Sequence, residues 1–377
     1  MGSCLHQSGR TIRWLKGSCI GPGAVIYRPS TIGISMSDDR NLSMVVRLIP
    51  CLLALGLSLS VHASWFGVGG NTGPKVEVLQ TANMSSKVTA IGGLPKSVRV
   101  EGVSGNASVV VGRFRSNEAP HDWQIFRYST STGIENLGTM GKGKGSIAAT
   151  CISADGTAIA GHFYIKDEGS HIFRYTQSRG LQDLGTMGKQ SIEVRGISAD
   201  GSVIVGSFQH SLSQEHAPVY HAFRYSQSEG FEDLDAMGAE SAFANGVSAD
   251  GSLIVGNFHV AKSTDHAYKY SRSDGVQDVG AVGGVAAFAT GISDDGSVIV
   301  GKYFGEFSFS NYAYYNHMFI YARAGGLTKL GAMGGRSIEA AGISTDGTKV
   351  IGSYIDSNGE SYVFTARIVL PVTQKNE

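Results

Sequence analysis

Residues 196–206 read Gly196-Ile-Ser-Ala-Asp-Gly-Ser-Val-Ile-Val-Gly206, with Asp200-Gly201 set between two short β-branched runs. A primed two-residue turn needs positive φ, which Gly adopts freely and Asp tolerates, so the stretch predicts an antiparallel hairpin. The same phrase recurs outward along the chain, its turn residue being Asn106, Asp155, Asp200, Asp250, Asp295 and Asp346. Successive spacings are 49, 45, 50, 45 and 51 residues. Self-similarity at a near-constant period marks a repeat architecture. Asn106 is followed by Ala107 rather than Gly, so the first turn is expected to be less tight.

In the third copy, residues 193–197, 202–208, 221–225 and 231–234 read as four strands, the last alternating only weakly. Four strands per repeat, repeated six times, is the blade pattern of a β-propeller. The expected fold is therefore all-β, a propeller of six four-stranded blades spanning residues 87–369. Ring closure removes most open sheet edges from such a row of strands. The alternative is an open β-repeat solenoid. Asp-Gly hairpins imply antiparallel pairing, which a parallel β-helix lacks, and favour the propeller.

Composition agrees. Gly is 52 residues against 8 Pro, and charged residues are only 16%. Many tight turns and a substantial apolar fraction argue against disorder. Acidic and basic residues balance at 31 each, with no basic footprint for nucleic acid. Three of the four cysteines precede residue 64, leaving Cys151 alone in the repeats, so no disulfide framework is expected there.

Residues 44–63 read as a secretory signal: Arg47 in a short basic region, an apolar run, and Val61-His62-Ala63 as a cleavage site. The apolar run is too short to span a bilayer, and no membrane span is expected after cleavage. Residues 1–43 carry no periodic apolar pattern and are read as an over-called extension before a true start at Met44. Residues 64–86 are read as a linker and 370–377 as a tail. The expected location is secreted or in a bacterial cell envelope.

Written out in full, the repeat resembles the HAF family of bacterial extracellular repeat proteins. The resemblance rests on His221-Ala222-Phe223, Asp183-Leu-Gly-Thr-Met-Gly188 and the hairpin at 196–206, recurring in order over residues 88–366. Looser copies are His171-Ile-Phe, His266-Ala-Tyr, His317-Met-Phe and Gln124-Ile-Phe. The resemblance implies export and no established reaction.

No catalytic constellation stands out, and neither a cofactor nor a metal is expected. The histidines His171, His221, His266 and His317 occupy equivalent places on different blades and are read as structural. The Asp-Gly acids lack the alternating carboxylates of a calcium loop.

Repeat length varies at one place. Between the second and third strands lie residues 162–170, 207–220, 257–265 and 302–316, and the second and fourth of these are longer. Equivalent connections share one face of a propeller, and loops on a rigid scaffold are where binding resides. The longest, residues 302–316, reads KYFGEFSFSNYAYYN, the Tyr-, Ser-, Gly- and Asn-rich composition of recognition loops. Candidate ligand-binding residues are Phe309, Asn311, Tyr312, Tyr314, Tyr315 and Tyr220. The expected function is a non-enzymatic, monomeric binding or adhesion module for an extracellular macromolecule or glycan. A structural surface scaffold and a propeller hydrolase or lyase are the alternatives.

Overall fold

The computed structural model describes residues 64–66, 75–81 and 97–369, the last span with breaks at 107, 116–121, 141–146, 189–190, 212–217, 236–237, 261–263, 309–312, 324, 332–336 and 357–358. The extension, the signal stretch and the tail lie outside the described residues.

Among the described residues every regular element is a strand. The chain opens with β1 (Ser64–Phe66) and β2 (Lys75–Thr81). Blade 1 is β3 (Ser97–Val103), β4 (Val109–Arg115), β5 (Trp123–Ser129) and β6 (Gly133–Gly138). Blade 2 is β7 (Ile147–Ile152), β8 (Ala158–Ile165), β9 (Gly169–Thr176) and β10 (Gly180–Gly185). Blade 3 is β11 (Ile192–Ile197), β12 (Val203–Ser211), β13 (Val219–Ser226) and β14 (Gly230–Asp233). Blade 4 is β15 (Ser241–Val247), β16 (Leu253–Val260), β17 (Thr264–Ser271) and β18 (Gly275–Gly280). Blade 5 is β19 (Ala287–Ile292), β20 (Val298–Ser308), β21 (Ala313–Ala322) and β22 (Gly326–Gly331). The sixth sheet takes β23 (Ser337–Ile343), β24 (Lys349–Ile355) and β25 (Ser361–Val369), then β2 and β1, in the order β1-β2-β25-β24-β23. Every pairing is antiparallel, and the architecture is the six-bladed propeller that the repeat predicts.

Two expectations are corrected. Residues 64–86 are not a plain linker, because β2 supplies the fourth strand of the last blade, with Glu77 opposite Arg367. Its Lys-Val-Glu-Val alternation suits a ladder, and β25 would otherwise present an open edge. The connections 207–220 and 302–316 are partly strand: β12 runs to Ser211, and β20 and β21 stay paired out to Ser308 and Ala313. Their extra residues lengthen a hairpin, with Phe307 opposite Tyr314 and Ser308 opposite Ala313 in the blade 5 ladder.

The repeated phrase is explained residue by residue. Ser198 is fully buried; its hydroxyl donates to Asp200 Oδ1 at 2.7 Å and accepts from the Val203 N–H at 2.9 Å. Asp200 Oδ1 also accepts from the Ser202 N–H, so one carboxylate and one hydroxyl tie the whole turn. The closing Gly is steric: a Cβ on Gly206 would lie 2.0 Å from the Glu193 carbonyl oxygen and 2.8 Å from the Phe223 ring. That closeness comes from a β-bulge between Val194 and Gly196, repeated in the first strand of each blade.

The core lies between blade faces. Ala160 and Ile172 of blade 2 pack with Ile192, Val194, Ile204, Phe208 and Phe223 of blade 3, all buried. Each large side chain so buried contributes roughly 1.5–3 kcal/mol. Adjacent blades are also joined through their turns: the Gly105 N–H donates to Ala154 O, Ala199 to Ala249 O, Ala249 to Asp294 O, and Asp294 to Thr345 O. These contacts gather the turns between first and second strands at one end of the propeller. The second-to-third connections, including both lengthened hairpins, therefore emerge at the other.

Candidate binding face at the lengthened-hairpin end

At this end the first strands of blades 2 to 6 each meet the third strand of the blade before. Tyr220 on β13 donates its backbone N–H to Ser241 Oγ of blade 4 at 3.0 Å, and its ring lies 5.2 Å from Phe243. Asn316 on β21 makes the same backbone bond to Ser337 Oγ of blade 6, at 3.2 Å. Tyr220 is thus a half-buried clasp between blades 3 and 4.

The other candidates divide. Tyr315 is half-buried on β21, and Tyr314 sits in register with Phe307. Phe309, Asn311 and Tyr312 lie outside the described residues. Tyr303 is buried with its ring 5.1 Å from His317, and Phe304 meets Phe288 edge-on at 5.6 Å, so both continue the strand. Tyr220 and Tyr315 belong to blades 3 and 5, separated by blade 4, and are not brought into one cluster.

Half-exposed aromatic rings under cations mark the seams. The Arg195 guanidinium stands 5.6 Å over Phe243, and Lys302 Nζ stands 5.9 Å over Phe288. Arg195 donates to Glu193 at 2.7 Å and to Asn245 Oδ1 at 2.9 Å, while Lys302 pairs with Glu339 at 2.8 Å. On blade 1, Arg99, Arg113 and Arg115 stand 5.6, 4.7 and 4.6 Å over the single Trp123 ring. Burial lowers the Arg113 pKa and the Glu101 carboxylate opposes that shift; the pair is 2.9 Å apart. Burial likewise lowers the pKa of His162 on β8, with the Glu193 carboxylate opposing the shift. Each cation–aromatic contact contributes about 0.5–1 kcal/mol where exposed. Chemically, such a rim offers flat apolar surface with charges of both signs.

The opposite end of the axis holds a cavity of about 260 Å³ among the first strands of blades 2 to 6, lined by Cys151, Arg195, Asn245 and the Gly-Ile or Gly-Val pairs. In blades 3 to 5 the bulged residue just before the pair reaches the next blade: Arg195 donates to Asn245 Oδ1, Asn245 Nδ2 donates to Ala289 O at 3.0 Å, and Thr290 Oγ1 to Ala340 O at 3.1 Å. These seam residues were not anticipated. Their signal is a polar residue in one column of an otherwise apolar strand: Glu101, Thr150, Arg195, Asn245 and Thr290.

The recurring histidines do not converge on the axis. His171 meets Asp183, His221 meets Asp233 and His266 meets Asp278, each across the third and fourth strands of its own blade, at 3.1, 3.0 and 2.8 Å. A carboxylate only accepts, so each Nδ1 is the donor.

No protein-family model and no characterised protein matches the chain by sequence. Solved structures match by fold. The β-propeller domain of the Trilobed protease from Pyrococcus furiosus, described as having an open velcro topology, aligns with a TM-score of 0.51 and 12% identity, over 83% of this chain and 99% of that one. A prolyl endopeptidase aligns with a TM-score of 0.51 and 11% identity, over 87% of this chain and 53% of that one. TolB from Acinetobacter baumannii aligns with a TM-score of 0.46 and 14% identity, over 70% of this chain, which spans 63% of that TolB. What this chain shares with these proteins is the β-propeller fold.

Proposed function

We propose that the chain is a non-enzymatic binding module of the bacterial cell envelope, holding an extracellular macromolecule against the lengthened-hairpin end of the propeller. The observation that carries the reading is a half-buried ring under a cation on each of three blades, Trp123 on blade 1, Phe243 on blade 4 and Phe288 on blade 5, at the end where two hairpins outgrow those of blades 2 and 4. Flat rings bury large area at low entropic cost, and fixed charges set orientation. The export-type stretch at 44–63 and the resemblance to HAF repeats support a place outside the cytoplasm.

The test is binding of the labelled chain to intact bacterial cells and to a panel of envelope glycans. Two variants are compared with the wild type, Phe243→Ala/Phe288→Ala and Tyr312→Ala/Tyr314→Ala/Tyr315→Ala. The reading expects each to lose at least tenfold in affinity while keeping its far-UV spectrum. A wild-type chain that binds no envelope component rejects the function. Variants that bind as tightly as wild type reject the face.

A further inference from the structure

Blade 1 departs from its sibling blades by gathering three guanidiniums on one indole. The register sets Arg99 opposite Arg113 and Arg115 opposite Trp123, and all three cations stand within 5.6 Å of the Trp123 ring centroid. Like charges directly opposite on a ladder destabilise it. Arg113 feels this: burial lowers its pKa, Glu101 opposes the shift, and Arg99 and Arg115 lower it further.

Other blades answer the cation in this column with a carboxylate from the next blade. Counting from the Gly that closes the hairpin phrase, Arg113 corresponds to His162 and Lys302. Lys302 meets Glu339 at 2.8 Å, and Glu193 is the carboxylate that acts on His162. The column of Glu193 and Glu339 holds Ala148 in blade 2, as the shared register shows. Arg113 Nη1 reaches that place and donates to the neighbouring Ile147 carbonyl at 3.2 Å. Its carboxylate comes instead from Glu101 of its own blade, at 2.9 Å. Among the described residues no carboxylate, Asp122 included, lies within 4 Å of Arg99 or Arg115, and both arginines are exposed. Three guanidiniums against the one carboxylate of Glu101 leave two positive charges over.

We propose that Arg99, Arg113 and Arg115, held over Trp123, bind a phosphomonoester group carried on an envelope glycan. The proposal rests on the reading of this end as the binding face and names the chemistry that blade 1 takes there. A phosphomonoester brings about 1.5–2 negative charges at pH 7 and three acceptor oxygens, matching the surplus. A sulfate ester or a single carboxylate brings one charge. Guanidinium forks suit phosphate oxygens, and the shared ring holds the forks in place before the ligand arrives.

Calorimetry of the full chain with dextran phosphate, dextran sulfate of equal substitution, plain dextran and poly-L-glutamate tests it. Wild type is expected to bind dextran phosphate at least tenfold more tightly than the other two polyanions, and plain dextran not at all. Arg99→Ala/Arg115→Ala is expected to lose at least tenfold while keeping its far-UV spectrum. Arg99→Lys/Arg115→Lys keeps the charge without the planar fork; it is expected to lose affinity, by less, and reads the site if alanine disturbs the fold. Arg179→Ala/Arg323→Ala removes two exposed cations from blades 2 and 5 and is expected to bind as wild type. Equal affinity for the three polyanions, or undiminished affinity of the Arg99/Arg115 variants, would overturn the proposal and leave the cell-binding reading standing. A wild type that binds dextran phosphate through these arginines, yet binds no cells, rejects that reading and leaves this site.

Discussion

The His171 imidazole lies 3.1 Å from both carboxylate oxygens of Asp183, and in blade 1 the same two positions hold Gln124 and Asn136, joined at 2.7 Å. Both pairs put one donor against one acceptor between the third and fourth strands. In each case the acidic or amide residue also takes the N–H two residues on, Gly185 at 2.8 Å and Gly138 at 2.9 Å. The pair is therefore a strand fastener with interchangeable chemistry.

That equivalence gives a double-mutant cycle. His171→Gln and Asp183→Asn separately disturb a charge-assisted bond to a buried ring and are expected to cost about 1–2 kcal/mol each. The double variant rebuilds the blade 1 pair and is expected to recover about half of the summed loss. Urea unfolding measures all four corners; strictly additive losses would show that the two residues do not act together.

The Asp-Gly turns make stability depend on acid. The Ser344 hydroxyl, then the Thr348 N–H and hydroxyl, hold the Asp346 carboxyl down at about 2. Asp250 and Asp295 are lowered in the same way, first by Ser248 and Ser293. A depressed carboxyl contributes its full share above the unfolded-state value near 4 and loses it as pH falls toward 2. Thermal midpoints are expected to drop across that window. Blade 1 already has the neutral form, Asn106, accepting from Ser104 at 2.8 Å and from the Ser108 N–H at 3.1 Å. Asp346→Asn is thus expected to keep the turn and to shrink the drop between pH 4 and 2. A variant with the full wild-type acid slope would assign that slope to other groups.

Steric closeness sets the third expectation. Gly206→Ala places a methyl group against the Glu193 carbonyl and the Phe223 ring, neither of which can withdraw from a bulged ladder. The loss is expected to exceed about 3 kcal/mol, well beyond the conformational cost of a strand Gly. Gly230→Ala, where no atom lies within 4 Å of the new methyl, is the control for positive φ alone. Chemical denaturation midpoints for the two variants decide it, and equal losses would remove the steric explanation.

The hairpin phrase was legible because its causes are local: Ser198, Asp200 and Gly201 bond within one turn. The His171–Asp183 fastener left a trace at a fixed offset, although only the paired strands give that offset meaning. Arg195 and Asn245 were illegible for a different reason, since their partners sit one blade away and no local pattern names them. Tyr220 has recognition-loop chemistry, but the seam with Phe243 claims its ring. Asp235 could have been noticed as the one break in a column of glycines; its meaning needs the fold that brings His221 beside it.

Closure of the last blade is the most non-local event of all, because β2 precedes β25 by almost the whole propeller. Glu77 on β2 stands between Trp65 on β1 and Arg367 on β25, so whichever way its N–H points it faces a neighbouring strand. Proline there deletes a ladder donor in a strand paired on both sides, at a cost of about 1–3 kcal/mol for the acceptor left without its bond. Trp65→Pro on β1, the outer edge of that sheet, spares the β2–β25 ladder and is expected to cost far less. Glu77→Pro is expected to lower the unfolding midpoint and to speed hydrogen exchange along β24 and β25 ahead of blades 2 to 4. Protection in β25 that is unchanged by Glu77→Pro would mean that the last blade stands as a three-stranded sheet and that β2 is not its fastening strand.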